Sequence, residues 1–406
     1  MSNSSIKKMF FECSVLCLIF FSLLLPQGYA EVGVSENLIK VGSSMDLSGP
    51  SVFYGKGYSK GINTYFKYIN DKGGVHGRKL EFIVYDDKYE PSRTVSNFKR
   101  LVYDDKVFCL LETYGTPSTL AIMPLCETEK IPLLAPSTSA IQVAEPPKRY
   151  IFPVWPLLHY YGRIMIDYAV KDSGSKSPRV AFIYYDTELG TQQLEGAKDQ
   201  AKRYGFEILE AVPYKGTTVD FTSLLLRIKS FNPDYLFAAS IVKDTAAILQ
   251  KIKEMGWDNV QVIGMTASVN QSMLNLAGDA VHFGKGYKAF YAGNLSHENL
   301  PGSEDYRTVM KKYYPDETPD EISFHAYGAA RLLVEGLNRA GKDLTREKLI
   351  EAMESLKNYS DGFNGPVTYG KNERSGTSAL RLLKVKEDGK FYGLTDWIYP
   401  KFTGHD

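Results

Sequence analysis

The sequence predicts an α/β protein made of two doubly wound parallel-sheet lobes, and three observations carry that prediction. Apolar runs of strand length alternate with segments whose apolar residues recur at helical spacing, over residues 39–135 and again over 179–264. The strand runs are continuously apolar rather than alternating, which marks strands covered on both faces. Between the two series lies a proline-rich connection, Glu145-Pro146-Pro147, that leads through residues 150–155 and marks a first crossing between lobes. A chain of 406 residues has room for two or three such domains.

The opening unit sets the pattern. Residues 39–44 read as a buried strand and 47–54 as its loop. Tyr58, Ile62, Tyr65, Phe66 and Ile69 then form the apolar face of a helix. Gly73-Gly74 supplies the positive φ that ends it, and residues 80–85 form the next strand, closing in Asp86-Asp87. Strand, helix, strand is a βαβ unit with a right-handed crossover. A helix starting near Pro91, a strand over 107–112, a helix carrying Leu120, Met123 and Leu125, and a strand over 131–135 complete the first series. In the second, strands are expected at 179–184, 206–212, 234–239 and 261–264, with apolar-striped helices between them. Residues 286–292 begin a return to the first lobe, and three helices follow near 303–314, 323–341 and 345–355. The tail from Asn364-Gly365-Pro366 onward reads as antiparallel strands.

Composition removes several function classes. Lys7, Lys8 and Glu12 account for the net charge of +1, so the rest of the chain is balanced and has no basic footprint for nucleic acid. Residues 1–30 carry a charged start, an apolar stretch that breaks at Pro26, and small residues at Gly28 and Ala30. They read as a cleaved secretory signal, with the mature chain starting at Glu31 in an oxidising compartment. Two cysteines then remain, Cys109 and Cys126, which either pair or stay as two buried thiols. No Gly-x-Ser-x-Gly, His-Glu-x-x-His or Walker sequence is present, and the six histidines show no zinc-ligand spacing, so neither catalysis nor a metal or other cofactor is expected. Gly55, Gly57 and Gly61 resemble a nucleotide loop only in spacing, and Asp86-Asp87 reads as a solvated strand end.

Candidate binding residues sit where strands end, because open α/β sheets bind ligands outside the carboxyl ends of their strands. Three loops qualify, 47–54, 114–118 and 137–139. The last two are rich in hydroxyls placed before helix starts: Thr116 and Ser118 in one, Ser137, Thr138 and Ser139 in the other. Hydroxyls with helix-end amides suit a buried carboxylate, and plain N-capping is the alternative. Tyr54, Tyr114, Trp155, Tyr184 and Tyr185 lie in or near these loops and suit a flat or bulky apolar body.

The Ser48-Gly49-Pro50 loop with Tyr54-Gly55 behind it, the residue 69–81 turn INDKGGVHGRKLE, and Tyr85-Asp86-Asp87 resemble the start of type I periplasmic solute-binding proteins. Motifs in order along almost the whole mature chain resemble the leucine/isoleucine/valine-binding proteins of ABC transporters. The resemblance implies two lobes joined by a three-strand hinge, with residues 31–156 and 291–357 in lobe 1 and 157–290 and 358–406 in lobe 2. It implies a small carboxylate-bearing ligand in the cleft, a branched-chain or other amino acid first. It further implies a membrane permease as partner, no enzymatic activity, a periplasmic location and a monomer. A sensor passing occupancy to a receptor, or a binder of aromatic or aliphatic acids lacking the amine, is the competing expectation. By the same resemblance the ligand carboxylate falls to Thr116, Ser137 and Ser139, and Tyr54 lines its side chain. In the second lobe the acidic residue expected for an ammonium is replaced by Thr266, and the expected tyrosines by Leu189 and Ile241. Tyr184, Tyr185 and Asp186, closing the first strand of that lobe, could substitute; Tyr185 is the better candidate, and Asp186 either takes the ammonium or, the preferred reading, is a solvated loop carboxylate.

Overall fold

A computed structural model describes residues 31–401. The expected export signal, residues 1–30, lies outside the described residues. Among the described residues no helix is long and apolar enough to cross a membrane.

The first sheet is all parallel. β1 (Leu38–Met45) pairs with β2 (Lys79–Asp86) in the register Ile39 to Leu80 and Met45 to Asp86. β3 (Cys109–Leu111), β4 (Leu133–Leu134) and β5 (Ile151–Phe152) extend it in the order β2-β1-β3-β4-β5. α1 (Val52–Asp71) buries Tyr58, Ile62, Tyr65 and Phe66. It stops at Gly73 and Gly74, both at positive φ; a Cβ on Gly74 would sit 1.9 Å from the Arg78 carbonyl oxygen. α2 (Pro91–Lys99) continues through a π-turn at Arg100–Asp104. α3 (Thr116–Glu129) runs through Pro124.

The second sheet has the order β14-β13-β10-β9-β8-β6-β7. Its parallel part is β6 (Val180–Tyr185), β7 (Glu210–Tyr214), β8 (Tyr235–Ala239), β9 (Gln261–Gly264) and β10 (Lys288–Tyr291). β13 (Arg381–Val385) and β14 (Phe391–Gly393) add to it antiparallel. α4 (Leu158–Ser173) and α5 (Glu188–Tyr204) pack together, while α6 (Thr222–Ser230), α7 (Val242–Glu254) and α8 (Gln271–Ala277) complete the helices of this part. The strand expected at 206–212 starts later, at Glu210. Gly205 takes a left-handed φ of 81°, and the Phe206 amide donates back to the Ala201 carbonyl, so these residues close α5 instead.

After β10 the chain returns to the first sheet as α9 (Pro301–Tyr313), α10 (Glu321–Ala340) and α11 (Arg346–Glu354). α10 lies on α1 because α1 offers glycine there; a Cβ on Gly61 would stand 2.2 Å from the Ser323 carbonyl oxygen. β11 (Thr368–Gly370) and β12 (Glu373–Gly376) form a separate pair that packs on α11 and β5, and only then does the chain pass to β13. Arg374, 2% exposed, fixes that pair by bonding Glu354 at 2.5 Å and the Lys148 carbonyl at 2.9 Å. The chain thus passes between the sheets three times.

The two cysteines are free and buried. Cys109 belongs to the core shared with α1 and α10, and Cys126 to the core under α2 and α3, so the sheet separates them. Burial pushes the Cys109 thiol up to about 12.

Candidate functional site

Three adjacent strands of the first sheet end in buried acids. Asp46, after β1, is 0% exposed; its carboxylate accepts from the Gly49 amide at 2.5 Å and the Ser51 amide at 2.6 Å, which shapes the 47–51 loop. Asp87, after β2, is also 0% exposed and accepts from Ser44 Oγ at 2.8 Å, Thr94 Oγ1 at 3.1 Å and the Tyr89 amide at 2.9 Å. The expectation of a solvated strand end fails at Asp87, because neighbouring donors replace water; Asp86 beside it is half-buried and accepts from Ser48 and the Leu47 amide. Burial outweighs these donors and raises the Asp87 carboxyl above its ordinary value.

Glu112, after β3, is different. It is 1% exposed, both carboxyl oxygens lack a hydrogen-bond partner, and its backbone sits at a φ of 55°. Burial alone pushes its carboxyl well above the usual range. Thr113 Oγ1 next to it is likewise buried and unpartnered.

Tyrosine rings gather over these strand ends. Tyr114 stacks on Tyr54 at 5.5 Å and 14°, and meets Tyr58 and Tyr89 at 5.7 Å each. Gly115 follows at a φ of 91°, and a Cβ there would stand 2.4 Å from the Tyr89 ring, so only glycine lets the loop close under it. Burial first, with Glu112 also contributing, raises the Tyr58 hydroxyl well above its ordinary value.

The hydroxyls behave otherwise than N-caps. Gly115 is the residue before α3 and no side chain caps that helix. Thr116 and Thr138 share a hydrogen bond of 2.6 Å, and Ser137 Oγ donates to the Tyr58 hydroxyl at 2.7 Å. A short 3₁₀ turn, Ile141–Val143, follows the 137–139 loop in place of a helix. Ser139 is half-buried and its hydroxyl has no partner among the described residues, while its carbonyl accepts from the Leu158 amide. Tyr54, Thr116, Ser137, Thr138 and Ser139 therefore come together at one edge.

The second lobe meets that edge through α5. Gln192 accepts from the Ile141 amide at 3.2 Å, and Gln193 points its Nε2 at Met265 Sδ, 3.0 Å away, leaving a buried Oε1 unpartnered. Thr266 shares a 2.7 Å hydrogen bond with the Tyr161 hydroxyl and accepts from the Ala292 amide at 3.1 Å, so its hydroxyl is occupied within the fold. Beside it Tyr291 bonds His325, whose Nδ1 lies 3.0 Å from Asn364 Oδ1; Trp155 packs on His325 at 5.0 Å with its own Nε1 buried and unpartnered. Tyr185 stacks on Tyr214 at 5.4 Å and packs with the core under α6 and α7, and Asp186 is exposed. Two open surface depressions of about 490 and 410 Å³ lie elsewhere, at the β13–β14 hairpin and on the solvent side of α1. Among the described residues no group of three His, Cys, Asp or Glu side chains is placed to hold a metal ion.

Sequence reading missed Glu112, Asp46, Tyr89 and Gln193, and placed Tyr58 only in the core. Glu112 did leave a signal, as the one charged residue closing the otherwise apolar run Val107 to Leu111.

Two α/β sheets, three connecting passages and polar strand ends facing across them define a two-lobe binding protein of the type I periplasmic binding fold. The model of the periplasmic binding protein family matches residues 38–390, and the chain belongs to that family of solute-binding proteins. It is similar to the Leu/Ile/Val-binding protein homolog 7 of Brucella suis biovar 1, 24% identical over 381 residues, which cover 89% of this chain and 91% of the relative. Among solved structures, a branched chain amino acid ABC transporter protein from Thermus thermophilus with bound valine superposes with a TM-score of 0.78 at 24% identity, covering 91% of this chain and 98% of that one. A fatty acid ABC transporter substrate-binding protein from Thermomonospora curvata gives 0.77 at 23%, covering 92% and 95%.

Proposed function

We propose that the protein is the extracytoplasmic substrate-binding component of an ABC transporter, closing by hinge motion over one small carboxylate-bearing solute, an amino acid foremost. The observation that supports this most is that buried polar atoms without partners occur on both sides of the passages between the sheets, among them Glu112 after β3, Trp155 after β5 and Gln193 of α5, in a chain of this family. Buried polar atoms are normally satisfied, so those left open at the strand ends are positions where another molecule would complete the bonding. The Ser139 hydroxyl is available to a ligand carboxylate, and the rings of Tyr54 and Tyr114 form a wall for its side chain. Binding shifts the open–closed equilibrium by the ligand's differential affinity for the two forms, and the closed form is what a permease recognises.

The proposed lobes are 31–156 with 291–357, and 157–290 with 358–406; the packing of β11 and β12 on β5 favours moving residues 358–377 to the first. Export through residues 1–30, a periplasmic location, a monomeric state and the absence of catalysis and of nucleic-acid binding belong to the same reading. A binder of acids without the amine is the second reading, supported by the tyrosine wall and by the likeness to the fatty acid transporter protein. A thermal-shift screen across amino acids, aromatic acids and aliphatic acids tests both. A true ligand at a hundredfold excess over its Kd adds about 2.7 kcal/mol. No shift with any acid would remove the reading.

A further inference from the structure

We propose that His297 is a proton-controlled clasp between the two lobes: as the imidazolium it ties the second sheet to α10, and losing its proton releases the lobes toward a more open arrangement. The inference goes beyond solute binding and rests on the two-lobe reading above. His297 lies on the second passage, between β10 and α9, where the chain leaves the second sheet for the first. Its Nε2 is 2.8 Å from the carbonyl oxygen of Phe391, the first residue of β14 in the second sheet. Its Nδ1 is 3.8 Å from Oε1 of Glu321, the first residue of α10. The Tyr392 ring of β14 meets the imidazole at 5.3 Å and 80°.

The residues on either side of it are bonded in the same two directions. Ser296 donates its amide and its hydroxyl to the Glu321 carboxylate, at 3.0 and 2.8 Å. Arg381 of β13 holds the Glu298 carboxylate through two bonds of 2.8 Å, and Arg307 of α9 donates to the carbonyls of Ser296 and Glu298. A rotation of one lobe against the other therefore strains bonds at residues 296–298. Near neutral pH the contact among them that a proton governs is His297, because both of its partners, a carbonyl and a carboxylate, are acceptors. A neutral imidazole has one N–H and serves one of them; the imidazolium has two and serves both.

The charges around the ring favour the clasped form. Glu321, from α10, raises the His297 value above the ordinary 6.5, and the Phe391 carbonyl adds to it; partial burial and Lys390, on the turn before β14, oppose them. Asp388 on the same turn is lowered in part by His297, and Glu298 is paired with Arg381. With its value raised in the fold, the clasp is complete below pH 6.5 and is lost as pH rises past the raised value. In the described arrangement the lobes are bonded to each other elsewhere too: Gln192 of α5 accepts from the Ile141 amide at 3.2 Å and donates to Gln142 Oε1 at 3.3 Å. Releasing the clasp thus frees lobes that stand together to part.

Two measurements on the solute-free protein test this. In proton NMR the imidazole signal missing from His297→Gln identifies His297, and in the wild type it should titrate with a midpoint above 6.5. Glu321→Gln, which keeps an acceptor for Ser296, should bring that midpoint down. In small-angle scattering the wild-type radius of gyration should rise between about pH 6 and about pH 9, and both variants should lose that rise. A midpoint at or below 6.5, a constant wild-type radius, or a rise that persists in either variant overturns the proposal. The last result would assign the change to another group, such as Asp361, whose carboxyl burial raises to about 6. If His297→Gln does not fold, the wild-type radius and Glu321→Gln decide the matter. Neither measurement uses a solute, so the clasp stands or falls independently of solute binding.

Discussion

The carboxyl ends of the two sheets carry opposite chemistry. β1, β2 and β3 of the first run into Asp46, Asp87 and Glu112, all buried. In the second sheet, neutral groups past β8 and β9 have hydroxyl partners: Ser240 with Thr245 at 2.6 Å, Ser268 with Tyr287 at 2.6 Å, and Thr266 with Tyr161 at 2.7 Å. The buried acid there, Asp244, has Lys243 Nζ 2.8 Å from one carboxylate oxygen, while its other oxygen is buried without a partner. One edge thus pairs its hydroxyls and one oxygen of its buried acid, whereas the other keeps a carboxyl with neither oxygen paired. Stability alone favours the first arrangement, since an unsatisfied buried polar group costs about 1–3 kcal/mol. Retaining the second makes sense when a ligand supplies the missing bond.

Removing the unpaired carboxyl gives the largest effect. Because the folded-state value of Glu112 lies above the ordinary 4.5, the wild type is most stable below that pH and loses stability as pH rises toward the raised value. Glu112→Gln has no such loss. The gap between variant and wild type in urea denaturation should widen by up to about 1.4 kcal/mol per pH unit above pH 4.5. A constant gap from pH 5 to 8 would mean that Glu112 is ionised in the fold.

The satisfied acid should respond in the opposite way. Asp87→Ala strands the Ser44 and Thr94 hydroxyls and the Tyr89 amide, and should cost about 2–4 kcal/mol at neutral pH. Unchanged denaturation would show that these bonds contribute nothing net.

On the second edge, Thr266→Val leaves the Tyr161 hydroxyl and the Ala292 amide without their partner, for about 1–2 kcal/mol. Affinity for an acid ligand should change little by comparison. A large loss of binding at unchanged stability would return Thr266 to the ligand.

What the sequence made legible follows from periodicity. The helix face from Tyr58 to Phe66, the continuously apolar strands and the Gly73-Gly74 stop are local signals, and the structure has them. Gly205 is also local, yet its cap on α5 takes up Phe206, which looked like the first residue of β7. The edge is harder, because hydroxyls and carboxylates look alike in sequence whether water, a neighbour or a ligand satisfies them. Thr116 and Thr138 are 22 positions apart and bond each other; Ser137 and Tyr58 are 79 apart. Asp87 looked solvated because Ser44, 43 positions away, could not be seen beside it. Glu112 was legible only as an exception in an apolar run.

Small-angle scattering of the protein, free and with a saturating amino acid identified by thermal shift, addresses solute capture between the lobes most directly. The radius of gyration should fall on binding as the hinge closes over the ligand. An unchanged radius at saturation would contradict ligand-driven closure.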